Sequence, residues 1–199
     1  MTILIRKLVP NLAEDYVRFF DATPHDKHVD AHKCYCVCWC NDDYEGQDFS
    51  TAEKRRKAAL QYVKGQNIQG YLAYRGDSVV GWCNANTKAD CLKCASWRRF
   101  MSYVPVEEST GIKVKSIFCF VIAPEFKRKG IATQFLERVC EDATRDGFDF
   151  VEAYPYNESS YQSSDFGGYL EMYKKSGFHV VLETDHGPVV RKRLRRNGG

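Results

Sequence analysis

The strongest constraint on the fold is a segment near the middle of the chain, residues 115–122, that is apolar on both of its faces. Its odd and even positions alternate as Ile117, Cys119 and Val121 against Phe118, Phe120 and Ile122. Successive side chains of a strand point to opposite faces, so such a strand avoids water only when both faces of its sheet are covered. The segment therefore predicts the central strand of a sheet with helices on both sides.

Strand and helix patterns alternate around this segment. Strand patterns lie at 2–8, 70–74, 79–82, 148–154, 178–183 and 188–194. Helix patterns begin at the capping-box pairs Asn11/Glu14 and Ser50/Glu53, the second ending at Gly65, and recur over 131–147 and 169–176. These patterns predict an α/β fold: one domain over residues 1–199, with a mixed, mainly antiparallel central sheet of six or seven strands. Residues 21–49 and 86–111 show no clear periodicity and are predicted to be irregular excursions.

Composition and charge narrow the class of protein. The 199 residues are 44% hydrophobic and carry a net charge of +3, and five cations lie within residues 191–196. The rest of the chain therefore sums to −2 (3 − 5), without the basic stripe that nucleic-acid or membrane-surface binding needs. The basic end is interpreted as a solvated final strand. No signal peptide or membrane span is evident, so a cytoplasmic protein is expected.

A basic turn follows the central strand and leads into an amphipathic helix. Lys127, Arg128 and Lys129 precede Gly130, after which Ile131, Ala132 and Thr133 begin the helix. A glycine lets backbone N–H groups approach a ligand closely, and a helix N-terminus carries partial positive charge. The turn is predicted to be a pyrophosphate cradle; by itself it also fits an ordinary basic turn.

Three segments together resemble the GCN5-related N-acetyltransferase (GNAT) superfamily. The turn is similar to its motif A, except that Lys127 stands where the family has Arg or Gln. Residues 173–178 are similar to its Tyr-x-x-x-Gly-Phe signature, and the hairpin that ends with residues 79–82 is similar to its second and third strands. The segments 80–83, 119–122 and 152–155 resemble a bacterial subgroup whose acceptor is unassigned.

The resemblance implies acetyl-CoA as co-substrate. It assigns CoA binding to the strand residues Phe120, Val121 and Ile122, to residues 127–133 of the turn, and to Asn157. The pantetheine arm is expected to lie along the strand, where an N–H, that of Val121 by preference, stabilises the oxyanion.

The resemblance also suggests two groups for proton transfer. Tyr173 matches the tyrosine that protonates the departing thiolate, against the alternative of a packed aromatic residue. Glu152 stands where ribosomal-protein acetylases of the superfamily place a base; a surface strand residue or a salt-bridge partner is an equal alternative. The spacing from Asn157 to Tyr173 is longer than in those enzymes, so an insertion is expected to form part of the acceptor pocket.

The cysteines leave a metal site as an open alternative. Cys34, Cys36, Cys38 and Cys40 alternate, and Cys91 with Cys94 forms a C-x-x-C pair. One such pair without a second at finger spacing is a weak zinc signal, so thiols and no metal are expected.

The sequence predicts an N-acyltransferase that moves an acetyl group from acetyl-CoA to a primary amine by direct attack. The acceptor is expected to be a small-molecule or peptide amine, with no nucleic-acid or membrane partner and a homodimer left open. Two rivals remain: a catalytically idle CoA-binding regulatory module on the same fold, and a cysteine-rich zinc-binding interaction protein.

Overall fold

Strands and helices alternate along the described part of the chain. In the computed structural model that part comprises residues 2–23, 33–39, 47–107, 109, 111–155 and 167–194. The strands are β1 (Leu4–Lys7), β2 (Gly70–Arg75), β3 (Ser78–Thr87), β4 (Val114–Ile122), β5 (Phe150–Ala153), β6 (His179–Leu182) and β7 (Val189–Arg193). The helices are α1 (Ala13–Ala22), α2 (Ala52–Lys64), α3 (Lys88–Cys91), α4 (Ala95–Phe100), α5 (Ile131–Arg145) and α6 (Leu170–Lys175).

All seven strands belong to one sheet, in the order β1-β2-β3-β4-β5-β7-β6. Neighbouring strands are antiparallel except β4 and β5, which are parallel. A parallel pair needs a crossover, and α5 supplies it. The predicted α/β fold with a mixed, mainly antiparallel sheet is therefore confirmed.

Two consecutive residues of β3 show that helices cover both faces of the sheet. The Trp82 ring packs edge-on against Tyr16 of α1, with 4.8 Å between ring centroids. Gly81 points the other way, where a Cβ would lie 3.2 Å from the Phe135 ring of α5. β4 beside it is buried from Val114 to Val121, as its two-sided apolar pattern predicts.

The predicted helix starts are shifted by local backbone geometry. Pro10 begins a short 3-10 turn over Pro10–Leu12, so Asn11 lies inside that turn and α1 starts without a side-chain cap. The cap of α2 is Thr51, whose hydroxyl accepts a hydrogen bond from the Lys54 N–H at 3.2 Å, and not Ser50. The predicted end of α2 at Gly65 is confirmed.

Ordered elements occupy parts of both segments predicted as excursions. Within 86–111, β3 continues to Thr87 and is followed by α3 and α4. Within 21–49, α1 extends to Ala22 and a 3-10 turn spans Val37–Trp39. Residues 24–32 and 40–46 lie outside the described residues.

The basic end of the chain is more tightly held than a solvated strand. Arg191 in β7 forms ion pairs with Glu152 and Glu107 and has a side chain only 22% exposed. Lys192 donates a hydrogen bond to the Ser176 carbonyl oxygen at 2.9 Å. The interpretation as a solvated final strand is therefore wrong for these two residues, because each has a fixed partner inside the fold.

Candidate active site

β4 and β5 lie side by side only at their beginnings. Their pairing ends at Ile117 and Ala153, whereas β4 continues to Ile122 with β3 along its other edge. β5 ends at Ala153. Beyond Ile117 the described residues therefore place no strand along one edge of β4, and a gap opens between the two strands.

A β-bulge marks the point where the strands part. Ile117 and Cys119 of β4 pair with consecutive residues of β3, Ala85 and Asn84, so Phe118 is an extra residue. A bulge bends its strand and increases the local twist. The bend at Phe118 accounts for the divergence of β4 from β5.

The direction of the backbone N–H groups follows from one hydrogen bond. The N–H of Ala123 donates to the Val80 carbonyl oxygen on β3 at 3.0 Å. N–H groups alternate between the two edges of a strand, so that of Val121 also points to β3. Those of Phe120 and Ile122 point to the open edge. The register thus argues for these two donors, and against Val121, as groups that contact a ligand in the gap.

The predicted cradle follows β4 directly. A 3-10 turn at Pro124–Phe126 reverses the chain, and Gly130 then precedes α5 with φ of +77° and no side-chain cap. A Cβ at Gly130 would meet no other atom within 4 Å, so the space beside this helix start is open. Backbone N–H groups without an intrahelical partner therefore point into accessible space.

Cations surround this helix start. Lys127, Arg128 and Lys129 are all exposed. The Lys129 ammonium lies 5.3 Å from the centroid of the Phe126 ring, as the Arg75 guanidinium does at 5.5 Å. The charges and the helix dipole together favour a phosphate group here.

A cleft of about 760 Å³ runs between α5 and α6 on this face of the sheet. Thr133, Leu136 and Cys140 line its α5 side, and Met172 and Lys175 its α6 side. Thr133 is in the first turn of α5, so the cleft continues from the predicted cradle. The described residues thus combine an open strand edge, an uncapped helix start and a cleft, which fits an extended phosphate-bearing ligand such as CoA.

Tyr173 lies on α6, facing the same layer. It is fully buried, with its ring centroid 6.4 Å from that of Phe120 on β4. Its hydroxyl donates a hydrogen bond to the Gly167 carbonyl oxygen at 2.8 Å. Burial raises the pKa of Tyr173 well above its usual value, so the phenol keeps its proton at neutral pH.

Glu152 lies on β5 and both of its carboxylate oxygens are engaged. One accepts from the Tyr154 hydroxyl at 2.7 Å and pairs with the Lys88 ammonium at 2.8 Å. The other accepts from Nε of Arg191 at 2.8 Å. The carboxylate is 1% exposed, and its contacts are those of a buried ion-pair partner.

The ion pairs extend into a network that connects four parts of the chain. Lys88 also pairs with Glu107 at 3.3 Å and donates to the Pro105 carbonyl oxygen at 2.7 Å. Arg191 contacts the same Glu107. Burial opposes the charge on Arg191, but Glu152 and Glu107 outweigh it and raise the pKa of that residue. Two carboxylates therefore balance two cations.

Sequence reasoning did not find Lys88, Glu107 or Arg191 as partners of Glu152. They are separated from it by 64, 45 and 39 positions (152 − 88, 152 − 107, 191 − 152). No local spacing marks them, since β-sheet register and the fold of the 88–107 segment bring them together. Only the residue type, an isolated acidic residue in an apolar strand, hinted that a cation would face it.

An aromatic cluster lies beside this network, where β4 and β5 diverge. Phe118 stacks on Trp39 at 4.4 Å and on Tyr154 at 5.5 Å between centroids. Trp97 of α4 packs edge-on against Phe118 and Tyr154. The segment after β3 thus covers the sheet face opposite α5.

Several predicted residues cannot be placed with these. Asn157, most of the expected insertion before Tyr173, Cys40 and the whole of 24–32 lie outside the described residues.

The eight cysteines of the described residues are thiols. Cys36 and Cys119 have their sulfur atoms 3.6 Å apart, and Cys94 caps α4 by accepting from the Trp97 N–H. Burial raises the pKa of Cys83, Cys94 and Cys140, the last to about 11. Among the described residues, no group of three or more His, Cys, Asp or Glu residues is arranged to hold a metal ion. The expectation of no metal stays a prediction.

The sequence profile of the Acetyltransferase (GNAT) family matches residues 11–178. The match covers most of the chain and includes the open edge of β4, the cradle and α6. The protein belongs to this family. No curated protein sequence matches the chain significantly.

Solved structures confirm the fold. The chain is similar to the PaiA N-acetyltransferase of Thermoplasma acidophilum in complex with coenzyme A, with 15% identity, a TM-score of 0.54, and 98% of this chain and 100% of that chain covered. It is similar to a GNAT-family acetyltransferase of Streptococcus pneumoniae, with 14% identity, a TM-score of 0.53 and the same coverage. For the ribosomal-protein-S18-alanine N-acetyltransferase of Escherichia coli the identity is 10%, the TM-score 0.51, and the coverage 99% and 97%.

None of the helices in the described ranges combines the length and the apolar character that crossing a membrane requires.

The ion network predicts a large stability effect at Glu152. Glu152→Gln keeps the shape but leaves Lys88 and Arg191 with one carboxylate between them, in a buried setting. Breaking a buried pair typically costs about 3–5 kcal/mol, and we expect a loss of that order in the free energy of unfolding, measured by urea denaturation.

Glu171→Gln is the matched control, because Glu171 pairs with Lys174 at 3.0 Å while both side chains are about half exposed. This change should cost less than about 1 kcal/mol. Equal effects of the two substitutions would contradict the network.

Proposed function

We propose that the protein is an N-acetyltransferase that moves an acetyl group from acetyl-CoA to a primary amine by direct attack. The observation that carries this proposal is the uncapped start of α5 at Gly130, placed directly after the open edge of β4. Family membership supports acyl transfer in general. The similar protein of Thermoplasma acidophilum was solved in complex with coenzyme A. The geometry supports the particular donor.

The cradle is proposed to hold the pyrophosphate of the donor. Lys127, Arg128 and Lys129 supply charge, and the N–H groups of Ile131, Ala132 and Thr133 supply hydrogen bonds. Lys127 stands where the family has Arg or Gln. Its ammonium is a compact charge and not a planar group, so it attracts a phosphate but forms less directional hydrogen bonds to it.

The open edge of β4 is proposed to bind the pantetheine arm by adding its amides to the sheet. The N–H groups of Phe120 and Ile122 are directed at that edge by the strand register. One of them is positioned to stabilise negative charge on a carbonyl oxygen in the gap. The donor supplies the acetyl thioester. An attacking amine forms a bond to its carbonyl carbon and displaces the thiolate of CoA.

Tyr173 is proposed to protonate the departing thiolate. A phenol has a reference pKa of ~10 and a thiol ~8.5, so the transfer between the free groups is uphill by only about 2 kcal/mol, and it requires direct contact between phenol and thiolate. Its hydroxyl now donates to Gly167 and must turn toward the gap to act. A carbonyl acceptor is a suitable resting partner, since it keeps the proton on the phenol.

Direct attack also requires a base that takes a proton from the amine. Glu152 is the predicted base, but both oxygens of its carboxylate are already engaged, one by Lys88 and Tyr154 and the other by Arg191. A water molecule or a residue of the 158–168 insertion is the alternative. The amine acceptor is proposed to enter on the side of Phe118 and Tyr154, opposite α5.

Donor binding predicts thermal stabilisation. Coenzyme A at ~100 times its dissociation constant should contribute about 2.7 kcal/mol, raising the melting temperature by roughly 5–10 °C. Gly130→Glu should abolish the rise, because it adds an anion to the cradle. Differential scanning fluorimetry measures both.

Gly147→Glu is the control, since Gly147 has a similar φ of +74° and open surroundings at the far end of α5. It should keep the full shift with coenzyme A. A wild-type protein without any shift at millimolar coenzyme A would refute the donor assignment.

Removal of one hydroxyl tests the acid. Tyr173→Phe should leave the coenzyme A shift intact and lower turnover by about 100-fold, as measured by thiol release from acetyl-CoA against a panel of amines. Tyr74→Phe is the control, because it also deletes one hydroxyl, which hydrogen-bonds Asp15 at 2.8 Å. Unchanged turnover of Tyr173→Phe, with chemistry limiting the rate, would remove the tyrosine from the mechanism. Binding of coenzyme A without thiol release by the wild type would favour the idle module.

The pH dependence of Glu152→Gln tests the base. If Glu152 takes the proton, the loss of turnover should be greatest at acidic and neutral pH, where the acceptor amine is mainly protonated. It should shrink as the pH approaches the pKa of the amine. Turnover against pH is measured below the melting temperature of the variant. A loss that is constant with pH would indicate a structural role, and no loss at all would assign the base to water or the insertion.

A further inference from the structure

A second cavity lies at the opposite end of β4 from the cradle. It has a volume of about 210 Å³ and is bounded by the ends of β1 and α2 and the start of β2. Lys7 and Lys115 supply the charged groups of its lining, and Gln66 and Gln69 supply side-chain amides. Lys115 and Ile122 are seven positions apart on the strand, or roughly 23 Å at 3.3 Å per residue. The proposed acetyl-transfer site therefore does not use this cavity.

Lys115 is a buried cation with few partners. The residue is 6% exposed, and its ammonium donates to Oε1 of Gln69 at 3.1 Å. It also lies 5.1 Å from the centroid of the Phe148 ring. No carboxylate of the described residues forms an ion pair with it. An ammonium has three donors, so two remain for a ligand or water.

Both charged residues that line the cavity, Lys7 and Lys115, are positive. Lys7 stands at its rim, half exposed, and Asp146 pairs with Lys7 at 3.1 Å, not with Lys115. Burial, and then the charge of Lys7, lower the pKa of Lys115 to about 8, although Asp146, Cys91 and Asp90 act in the opposite direction. The ammonium is therefore still mainly protonated at neutral pH. A buried charge without a counter-charge is costly, and an anion in the cavity would remove that cost.

We propose that this cavity is a binding site for a small oxyanion, a carboxylate, phosphate or sulfate group. The Lys115 ammonium is the principal donor, and the Gln69 amide, whose oxygen already accepts from Lys115, offers its N–H₂ group to the same ligand. Lys7 supplies a second positive charge at the opening. The volume suits an ion of a few heavy atoms and excludes a nucleotide. Nothing in this site depends on acetyl transfer.

The experiment measures the melting temperature during a titration with sodium sulfate, with sodium chloride at equal ionic strength as reference. Saturating coenzyme A is present, so that sulfate cannot occupy the cradle. Millimolar concentrations keep the general stabilising effect of sulfate small. At ten times the dissociation constant we expect a rise of roughly 3–6 °C over chloride. Repetition with phosphate and acetate identifies the preferred oxyanion.

Three variants make the test specific. Lys115→Met keeps the length of the side chain and should abolish the sulfate effect. Gln69→Glu places a carboxylate against Lys115 within the chain; it should raise the melting temperature without sulfate and also abolish the sulfate effect. Lys113→Met removes an exposed cation two residues away and should retain the effect.

The two informative failures are distinct. A sulfate effect equal to that of chloride in the wild type, or an effect that persists in both Lys115→Met and Gln69→Glu, would overturn the proposal. Should Lys115→Met not fold, Gln69→Glu carries the test, because it adds the missing counter-charge and removes no group that packs. The comparison with Lys113→Met remains valid even if coenzyme A does not bind.

Discussion

The central constraint on the structure is that β4 lacks backbone hydrogen bonds to the described residues along one edge after Ile117, and the elements around the gap are arranged about that edge. A strand in the centre of a sheet ordinarily has a neighbour on each side, and here the neighbour is lost after Ile117. Buried N–H and carbonyl groups need partners, so the free edge is a template for an extended ligand. The bulge at Phe118 and the turn after Ala123 place the start of α5, with its own unpaired N–H groups, directly after that edge. The open edge of β4 and the start of α5 thus place close together along the chain two sets of backbone N–H groups that have no partner among the described residues.

Beyond Ile117, side-chain contacts replace the backbone hydrogen bonds that β4 and β5 no longer form. Glu152 bridges to Lys88 of α3 and to Arg191 of β7, and the Phe118 and Tyr154 rings fill the space above. Charge pairing and aromatic stacking hold the diverging strands in position without closing the gap. The same contacts explain why a carboxylate at the position of a predicted base is so firmly held.

The sequence was sufficient to predict the fold because its signals are local. The two-sided apolar pattern of β4, the hairpin of β2 and β3, and the stripe of α5 each depend on residues close in the chain. The turn at Gly130 and the start of α5 could be predicted for the same reason. Helix starts were shifted by one or two residues where Pro10 or an extended Thr51 changed the backbone. The ion network and the Lys115 cavity could not be predicted, since their members meet only through strand register and loop folding. The direction of the Val121 N–H likewise depends on the pairing with β3, which no sequence pattern specifies.

The strand order has a consequence for how the chain is made. β7 is inserted between β5 and β6, and β6 has no other neighbour in the described sheet. Synthesis proceeds from the N-terminus, so β1 to β5 can pair while the ribosome is still working, but β6 emerges before the strand that it must join. Until β7 follows, β6 has no ladder partner and Glu152 and Lys88 lack Arg191. The seventh described strand therefore completes both the sheet and the charge balance beside the gap.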